Sequence, residues 1–348
     1  MMKQLLTVLI SLLLTHTIYA QMDTIQFKPH PIAIALHGGA SNVKNMNLTP
    51  SQDSSYRKAL SEAVEIGYDI LKKGGKAIDA VTATVVFLEN NPLFNAGKGS
   101  VFSADTTIEM DAAIMGGKTL KCGAVCGVHS IKNPILAARR ILDTSQFVML
   151  SGKGAEKFAA EQGLEIVNPE YFKTDFRWQQ FLKLKNTDTT HLDNEIKGFV
   201  NPLDENKFDK YGTVGCVAID VRGNLSAATS TGGVINKKYN RIGDSPIIGA
   251  GTYANNKTCA VSCTGKGEDF IRLVAAHDIS ALMEYGHFSL KKAVNFVVKK
   301  KLVEKKGRGG CIAVDKHATI QMAFTTSGMF RASIDKNGRK TIAIYENE

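Results

Sequence analysis

The chain of 348 residues holds one tryptophan, Trp178, and only 7% of it is aromatic. No aromatic side chains alternate with basic ones, so the stacking platform of a nucleic-acid binder is missing. The formal charge is nevertheless +10. The excess is dispersed or sits in short runs such as Lys299–Lys300–Lys301 and Lys305–Lys306, which read as solvated helix ends. No nucleic-acid partner is expected. Past residue 14 no apolar run is long enough to cross a bilayer, so no membrane-spanning segment is expected in the mature chain. Repeats and low-complexity tracts are also missing. The six cysteines have no His or Cys partner at metal-finger spacing. Cys122 and Cys126 share one strand-like run, and Cys259 and Cys263 another; residues four apart on a strand point the same way, too far apart to bridge. With Cys216 and Cys311 they read as small buried thiols. Gly117–Lys118–Thr119 resembles the end of a phosphate-binding loop, but Ala112 stands where its first glycine is required, which excludes an ATPase.

What is present is ordinary globular material, 44% hydrophobic and 22% charged, on a chain long enough to bury a large core. Residues 1–20 have the pattern of a secretory signal. Lys3 supplies the positive start, residues 5–14 the apolar centre, and Ile18–Tyr19–Ala20 the cleavage site. The mature protein is expected to be exported, periplasmic or secreted, with an uncleaved anchor as the alternative.

Residues 32–36 read as a buried strand ending in a tight His37–Gly38–Gly39 loop. A helical period spans 51–73, with Tyr56, Leu60, Ala63, Val64, Gly67, Ile70 and Leu71 on one face, and Gly74–Gly75 stops it. A second helix covers 77–88. Residues 89–99 form a loop rich in turn residues, able to offer backbone carbonyls to a cation. Strands are expected at 99–103, 108–115 and 122–128, and a helix capped by Asn133 with Pro134 in its first turn. A helix over 169–185 leads into a polar linker at 186–210. Later come helices over 268–284 and 290–302, then four strands at 310–314, 320–325, 328–334 and 341–345, expected as an antiparallel meander. Strands apolar on both faces, with helices in pairs, imply sheets covered by helices.

The stretch at 208–233, FDKYGTVGCVAIDVRGNLSAATSTGG, carries the chemistry. Two β-rich runs across a Gly223–Asn224 turn read as a hairpin. Ahead of the first stands Gly212–Thr213, where a loop becomes a strand. Glycine permits backbone conformations closed to other residues, so a hydroxyl nucleophile can approach its own preceding carbonyl there. Breaking that bond gives Thr213 a free α-amine, whose ordinary pKa of about 7.7–8.0 suits a general base at neutral pH. Nucleophile and base then belong to one residue.

YGTVG, TSTGG, RIGDSP and TGKGE, in this order, resemble the plant-type asparaginases or isoaspartyl peptidases, a branch of the N-terminal nucleophile hydrolases. LHGGAS, NPLFNAGKGSVF and EMDAAIM are similar to the amino-terminal half of the same family. The likeness covers about residues 31–160 and 208–334. It implies an α+β fold, a four-layer αββα sandwich, made as a precursor. The precursor would be cut into an α subunit (21–212) and a β subunit (213–348) that stay together and dimerise. By the same resemblance Gly212 and Thr213 flank the cut, Thr213 is the nucleophile and Thr231 the second threonine that tunes it. Thr264 and Gly265 would form the oxyanion site. Arg241 would clamp a substrate α-carboxylate and Asp244 its α-ammonium, with Gly267 beside them. The plainer reading of Arg241 and Asp244 is a salt bridge within a turn. Asn95 resembles a residue near the nucleophile. The 88–98 loop is similar to the family's sodium loop, with backbone oxygens of Leu88, Glu89, Phe94, Ala96 and Lys98 as ligands; catalysis itself is expected to need no cofactor. The implied substrates are isoaspartyl dipeptides and asparagine. Two other readings stay open. One is a glycosylasparaginase, although its members place Asp where Gly212 stands; the other is an aspartate-binding protein that never cuts itself. Lys266, beside the oxyanion glycine, is a place where a cation would favour acidic peptides.

Overall fold

The computed structural model describes residues 29–185 and 212–348; the expected signal segment and the 186–210 linker lie outside the described residues. The described residues form twelve strands. In chain order they are β1 (Ala33–Ser41), β2 (Met110–Gly116), β3 (Cys122–Val128), β4 (Met149–Ser151), β5 (Val214–Ile219) and β6 (Leu225–Thr231). Then follow β7 (Thr252–Ala254), β8 (Cys259–Gly265), β9 (Gly309–Asp315), β10 (Ile320–Phe324), β11 (Gly328–Ile334) and β12 (Lys340–Tyr345). Eight of them make one sheet, ordered β12-β11-β1-β5-β6-β2-β3-β4, and four make another, ordered β10-β9-β8-β7.

Three separate apolar clusters set the layering. One joins the outer face of the larger sheet to the helices Pro50–Lys72, Ala77–Asn90 and Pro134–Thr144. A second joins the smaller sheet to Ala275–Glu284 and the segment starting at Leu290. The third, with Ala35, Val217, Ala227, Ala260 and Ile312, lies between the sheets. Small side chains dominate this inner layer, which lets the sheets approach closely. The result is the expected αββα sandwich.

Local chemistry explains the elements nearest the site. The helix Pro50–Lys72 starts on a Thr49–Gln52 capping box with proline in its first turn. Its buried face is the expected one with Ala59 added, while Ile70 is only half-buried. The β5–β6 hairpin closes on Asp220, whose Oδ1 accepts from the backbone of Arg222 (2.9 Å) and Asn224 (3.0 Å). The other oxygen of Asp220 accepts from the Ala77 N–H at 3.0 Å, so one buried carboxylate closes the hairpin and caps the neighbouring helix.

Several expectations are corrected. The His37–Gly38–Gly39 stretch is part of β1, which continues to Ser41 across a bulge against β11. Residues 99–103 form no strand, only a Phe102–Ile108 bridge. Asn133 does not cap its helix through its side chain. Glu89 does so instead, accepting from the Ile135 N–H at 3.0 Å while Asn133 Nδ2 donates to it at 3.0 Å. The 169–185 region is a short 3-10 turn, Pro169–Phe172, followed by the helix Asp175–Lys185. The helix expected over 268–284 breaks at Val274 (φ +48°) into Gly267–Leu273 and Ala275–Glu284. At the break the N–H groups of Ala276 and His277 find the carbonyls of Ala250 and Gly249. Finally, the last four strands are no meander. β9 and β10 pair in the smaller sheet, whereas β11 and β12 pair in the larger one. All six cysteines are free thiols, Cys122 half-buried and the rest buried.

Candidate active site

Thr213 stands at the head of β5, one residue before the ladder begins at Val214–Ser230. It is buried, as is Thr231 at the end of the adjacent β6. Thr213 Oγ1 donates to Thr231 Oγ1 at 3.2 Å, and Thr231 Oγ1 donates to the carbonyl oxygen of Gly212 at 3.0 Å. The Gly233 N–H donates to Thr231 at 2.9 Å and holds that hydroxyl in place. A second donor, Asn95 Nδ2, reaches the Gly212 oxygen at 2.9 Å. Asn95 is itself fixed, giving its other hydrogen to Gly233 O (2.7 Å) and accepting from Val101 N–H (3.0 Å). The carbonyl between Gly212 and Thr213 therefore has two aimed donors, and the Thr213 hydroxyl touches one of them. Gly39, at φ +116°, leaves bare backbone here; a Cβ on it would sit 3.2 Å from Gly212 Cα and 3.5 Å from Thr213 N.

Thr213, Thr231, Arg241, Asp244 and Gly265 line one small cleft of about 10 Å³, with Gly212 in its wall. A neighbouring cavity of about 590 Å³ is lined by Gly39, Asn95, Tyr56, Arg177 and others, and Gly212 is the one described residue common to both. Thr264 is fully buried behind the cleft. Its Oγ1 accepts from the Ala40 N–H at 3.2 Å, which leaves its own hydrogen free to donate. Gly265 has φ +146°, and a Cβ there would collide with the carbonyl of Arg308.

Arg241 and Asp244 do not pair with each other. Arg241 makes a two-point ion pair with Glu268, Nε–Oε1 at 2.8 Å and Nη2–Oε2 at 2.9 Å. Burial works against both charges, but the pair outweighs it. Arg241 is held above the ordinary arginine range and Glu268 below the ordinary carboxylate range. Gly243 and Gly267 make room for the guanidinium: a Cβ on either would lie 2.9 Å from one of its nitrogens. Asp244 is buried, and its Oδ2 has no hydrogen-bond partner. Desolvation pushes its pKa up to about 6 despite the nearby Arg241. Asp244 lines the cleft, and its buried Oδ2 is an acceptor without a partner among the described residues.

Sequence reasoning missed Glu268 and His37. Glu268 carried no signal beyond its helix start. His37 Nδ1 lies 2.9 Å from the Thr213 carbonyl oxygen, a contact only the β1–β5 pairing creates. Glu89 was expected to act through its backbone. Its side chain is also placed, accepting from Ser230 Oγ at 2.7 Å next to Thr231, and burial raises its pKa to about 7. In the 88–98 loop the carbonyls of Glu89 and Phe94 point into spaces that a Cβ on Gly97 or Gly99 would fill. Those of Leu88 and Ala96 accept only long bonds of 3.3 Å.

A hydroxyl residue at the head of an inner strand of an αββα sandwich, beside a second hydroxyl and a prepared carbonyl, defines the N-terminal nucleophile hydrolases. Within that class the chain belongs to the Asparaginase family, which matches residues 30–344. It is 49% identical to the isoaspartyl peptidase of Escherichia coli (strain K12) over 315 residues, covering 90% of this chain and 96% of that protein. Likewise it is 48% identical to the isoaspartyl peptidase of Salmonella typhimurium, covering 90% and 98%. A probable isoaspartyl peptidase/L-asparaginase 2 of Arabidopsis thaliana is 41% identical, with 90% and 99% covered.

Proposed function

We propose that this protein is a self-processing amidohydrolase that releases aspartate from isoaspartyl dipeptides and from asparagine. The observation that carries the reading is the constellation of Thr213 Oγ1, Thr231 Oγ1 and the doubly hydrogen-bonded Gly212 carbonyl. In the uncut chain Thr213 Oγ1 attacks the Gly212 carbonyl carbon. Its proton passes toward Thr231, while Thr231 and Asn95 steady the charge on the carbonyl oxygen. The acyl group moves from nitrogen to oxygen, and water hydrolyses the ester. This frees the Thr213 amine and the Gly212 carboxylate, and removes Gly212 from the cleft wall.

In the cut protein the amine takes the Thr213 hydroxyl proton as that oxygen attacks the substrate's side-chain carbonyl. Thr264 Oγ1 and the Gly265 N–H hold the developing oxyanion. The leaving amine departs protonated, and water then hydrolyses the β-aspartyl ester. Arg241 binds the α-carboxylate and the unpaired Asp244 carboxylate binds the α-ammonium, which leaves only the side-chain amide at Thr213. The bare backbone at Gly243 and Gly267 leaves the room that the Arg241 guanidinium needs beside that head.

The carbonyls of Leu88, Glu89, Phe94, Ala96 and Lys98 would hold a sodium ion, whose contribution is to stiffen the loop carrying Asn95. We further take residues 1–20 as an export signal, 21–212 and 213–348 as the two subunits, and a dimer of these units as the working assembly. The test is to purify the protein, follow its self-cleavage, and measure aspartate release from β-aspartyl-leucine, asparagine and aspartyl-glucosamine. Turnover of the first two supports the reading. Turnover of the third alone, or aspartate binding by an uncut chain without turnover, refutes it.

A further inference from the structure

Between the two sheets runs a line of buried polar side chains that ends on Thr213. His37 on β1 is fully buried, with Nδ1 2.9 Å from the Thr213 carbonyl oxygen and Nε2 3.0 Å from Ser262 Oγ. Ser262, on β8 of the other sheet, lies 2.7 Å from Thr229 Oγ1 on β6. Thr229 in turn lies 2.7 Å from Thr252 Oγ1 on β7, which reaches the carbonyl oxygen of Ser245 at 3.1 Å. Ser245 follows Asp244, so the line runs from the nucleophile to the residue beside the ammonium site. Ser262, Thr229 and Thr252 are all fully buried.

The register of the strands shows that this line is built into the fold. His37 pairs with Gly215, and Gly215 pairs with Thr229. On any other residue at 215, a Cβ would collide with Ser262 Oγ and stand 2.5 Å from His37 Nε2. The glycine two residues after Thr213 thus opens a slot through which Ser262 of one sheet drops between His37 and Thr229 of the other.

We infer that His37, held by Ser262, Thr229 and Thr252, is a positioning residue that fixes the Thr213 backbone through a one-way chain of hydrogen bonds. The direction follows from chemistry. The Thr213 carbonyl can only accept, so His37 Nδ1 must carry the hydrogen. A neutral ring then has a bare Nε2, which accepts from the Ser262 hydroxyl; Ser262 accepts from Thr229, and Thr229 from Thr252, whose single hydrogen is then spent there and not on the Ser245 carbonyl. Burial favours the neutral ring strongly, lowering its pKa to about 3. The need for such a clamp arises from self-cleavage. Once the bond before Thr213 is broken, that residue is a chain end lying outside the strand ladder, and its carbonyl is the nearest backbone handle. The inference rests on the proposed role of Thr213, and its test separates the two.

Nitrogen NMR of the purified, cut protein with labelled histidine reads the ring directly. The expected spectrum has one neutral histidine with hydrogen on Nδ1, unchanged from mildly acidic to alkaline pH. Ser262→Ala removes the donor to Nε2, and the Nδ1–H signature is expected to weaken or switch. With it, kcat falls about ten- to a hundred-fold at nearly constant KM, the scale of a displaced reacting group. Ser262→Cys, which keeps volume and a weak donor, recovers part of the rate. His37→Asn retains a donor at the Nδ1 position and should exceed His37→Leu in kcat. Should Ser262→Ala fail to fold, Thr229→Val, further from Thr213, gives a smaller loss of the same kind. A wild-type His37 ring protonated on Nε2, or a folded Ser262→Ala protein with wild-type kcat, overturns the inference. Wild-type protein inactive on every β-aspartyl substrate counts against the reading of the site; the spectrum still decides the orientation of His37.

Discussion

Glu268 grips Arg241 from the side, taking Nε and one terminal nitrogen in a two-point pair at 2.8 and 2.9 Å. A guanidinium has five hydrogens in a fixed fork, so the pair leaves the Nη1 edge free. Glu268 therefore leaves room for the substrate carboxylate proposed for Arg241, and it sets the angle at which Arg241 offers its remaining donors. Both side chains are largely buried, which makes the pair stiffer than a surface bridge.

Glu268→Gln should loosen Arg241 without removing its charge. Loss of a hydrogen bond to a charged group costs about 1.5–3 kcal/mol. We expect KM for asparagine to rise about ten- to a hundred-fold, with kcat little changed. Arg241→Lys, which loses the fork altogether, should be worse. Steady-state kinetics at saturating and limiting substrate separate the two parameters; a drop in kcat alone would contradict this role.

Self-cleavage gives a second prediction. Wild-type protein should run on denaturing electrophoresis as bands of about 21 and 15 kDa, sizes set by the two segment lengths. Thr213→Ala should run as one band. Asn95→Ala removes one of two donors on the Gly212 carbonyl, an effect of about 2.7–4 kcal/mol at an oxyanion. Its cleavage should therefore slow by about a hundred- to a thousand-fold without stopping, since Thr231 remains.

Much of this site could be read from the residues alone, and the reason is local. Thr213, Thr231, Arg241, Asp244, Thr264 and Gly265 lie in short motifs whose turns and strand ends place them directly, and the hairpin joining Thr213 to Thr231 has a plain turn signal at Gly223 (φ +75°). What escaped depends on pairing between distant segments. His37 meets Thr213 across 176 residues, and Ser262 meets His37 across 225. Asn133 looks like a helix cap, but Glu89 arrives from another helix and takes that place. The break at Val274 was invisible because no glycine or proline marks it. The division of the last four strands between two sheets was equally hidden, since hairpin signals do not say which sheet a strand joins.

Asp244 ties stability to function through pH. Its folded pKa is raised by burial to about 6, above the usual carboxylate value. For such a group the folded state binds the proton more tightly than the unfolded one. The destabilisation is absent below about pH 4, grows between about pH 4 and 6, and is complete above that. Two pKa units correspond to about 3 kcal/mol. Asp244→Asn should therefore unfold at a higher temperature than wild type at pH 7.5 and lose that advantage near pH 4, while substrate binding collapses. Calorimetry at the two pH values measures the first effect, and the second appears as a loss of saturation. In wild type, substrate affinity should weaken as pH falls through about 6, because a protonated Asp244 cannot hold an ammonium.

The slot at Gly215 allows the inner polar line to be separated from the fold around it. In Gly215→Ala the new methyl meets Ser262 Oγ, which has no exit because both sheets are packed around it. Overpacking of this kind costs about 1–3 kcal/mol, so the melting temperature should fall by several degrees. Adding Ser262→Ala takes away the colliding oxygen, the worst of the contacts, but leaves the new methyl 2.5 Å from His37 Nε2 and 3.0 Å from the carbon at 262. The double variant should therefore regain part of the lost stability. It should not regain the rate, because the hydroxyl that oriented His37 is gone. Thermal unfolding and kcat measured on the same three proteins will show whether the two recover together. Recovery of both would make Ser262 a packing residue, whereas recovery of stability alone places its hydroxyl in the support of Thr213.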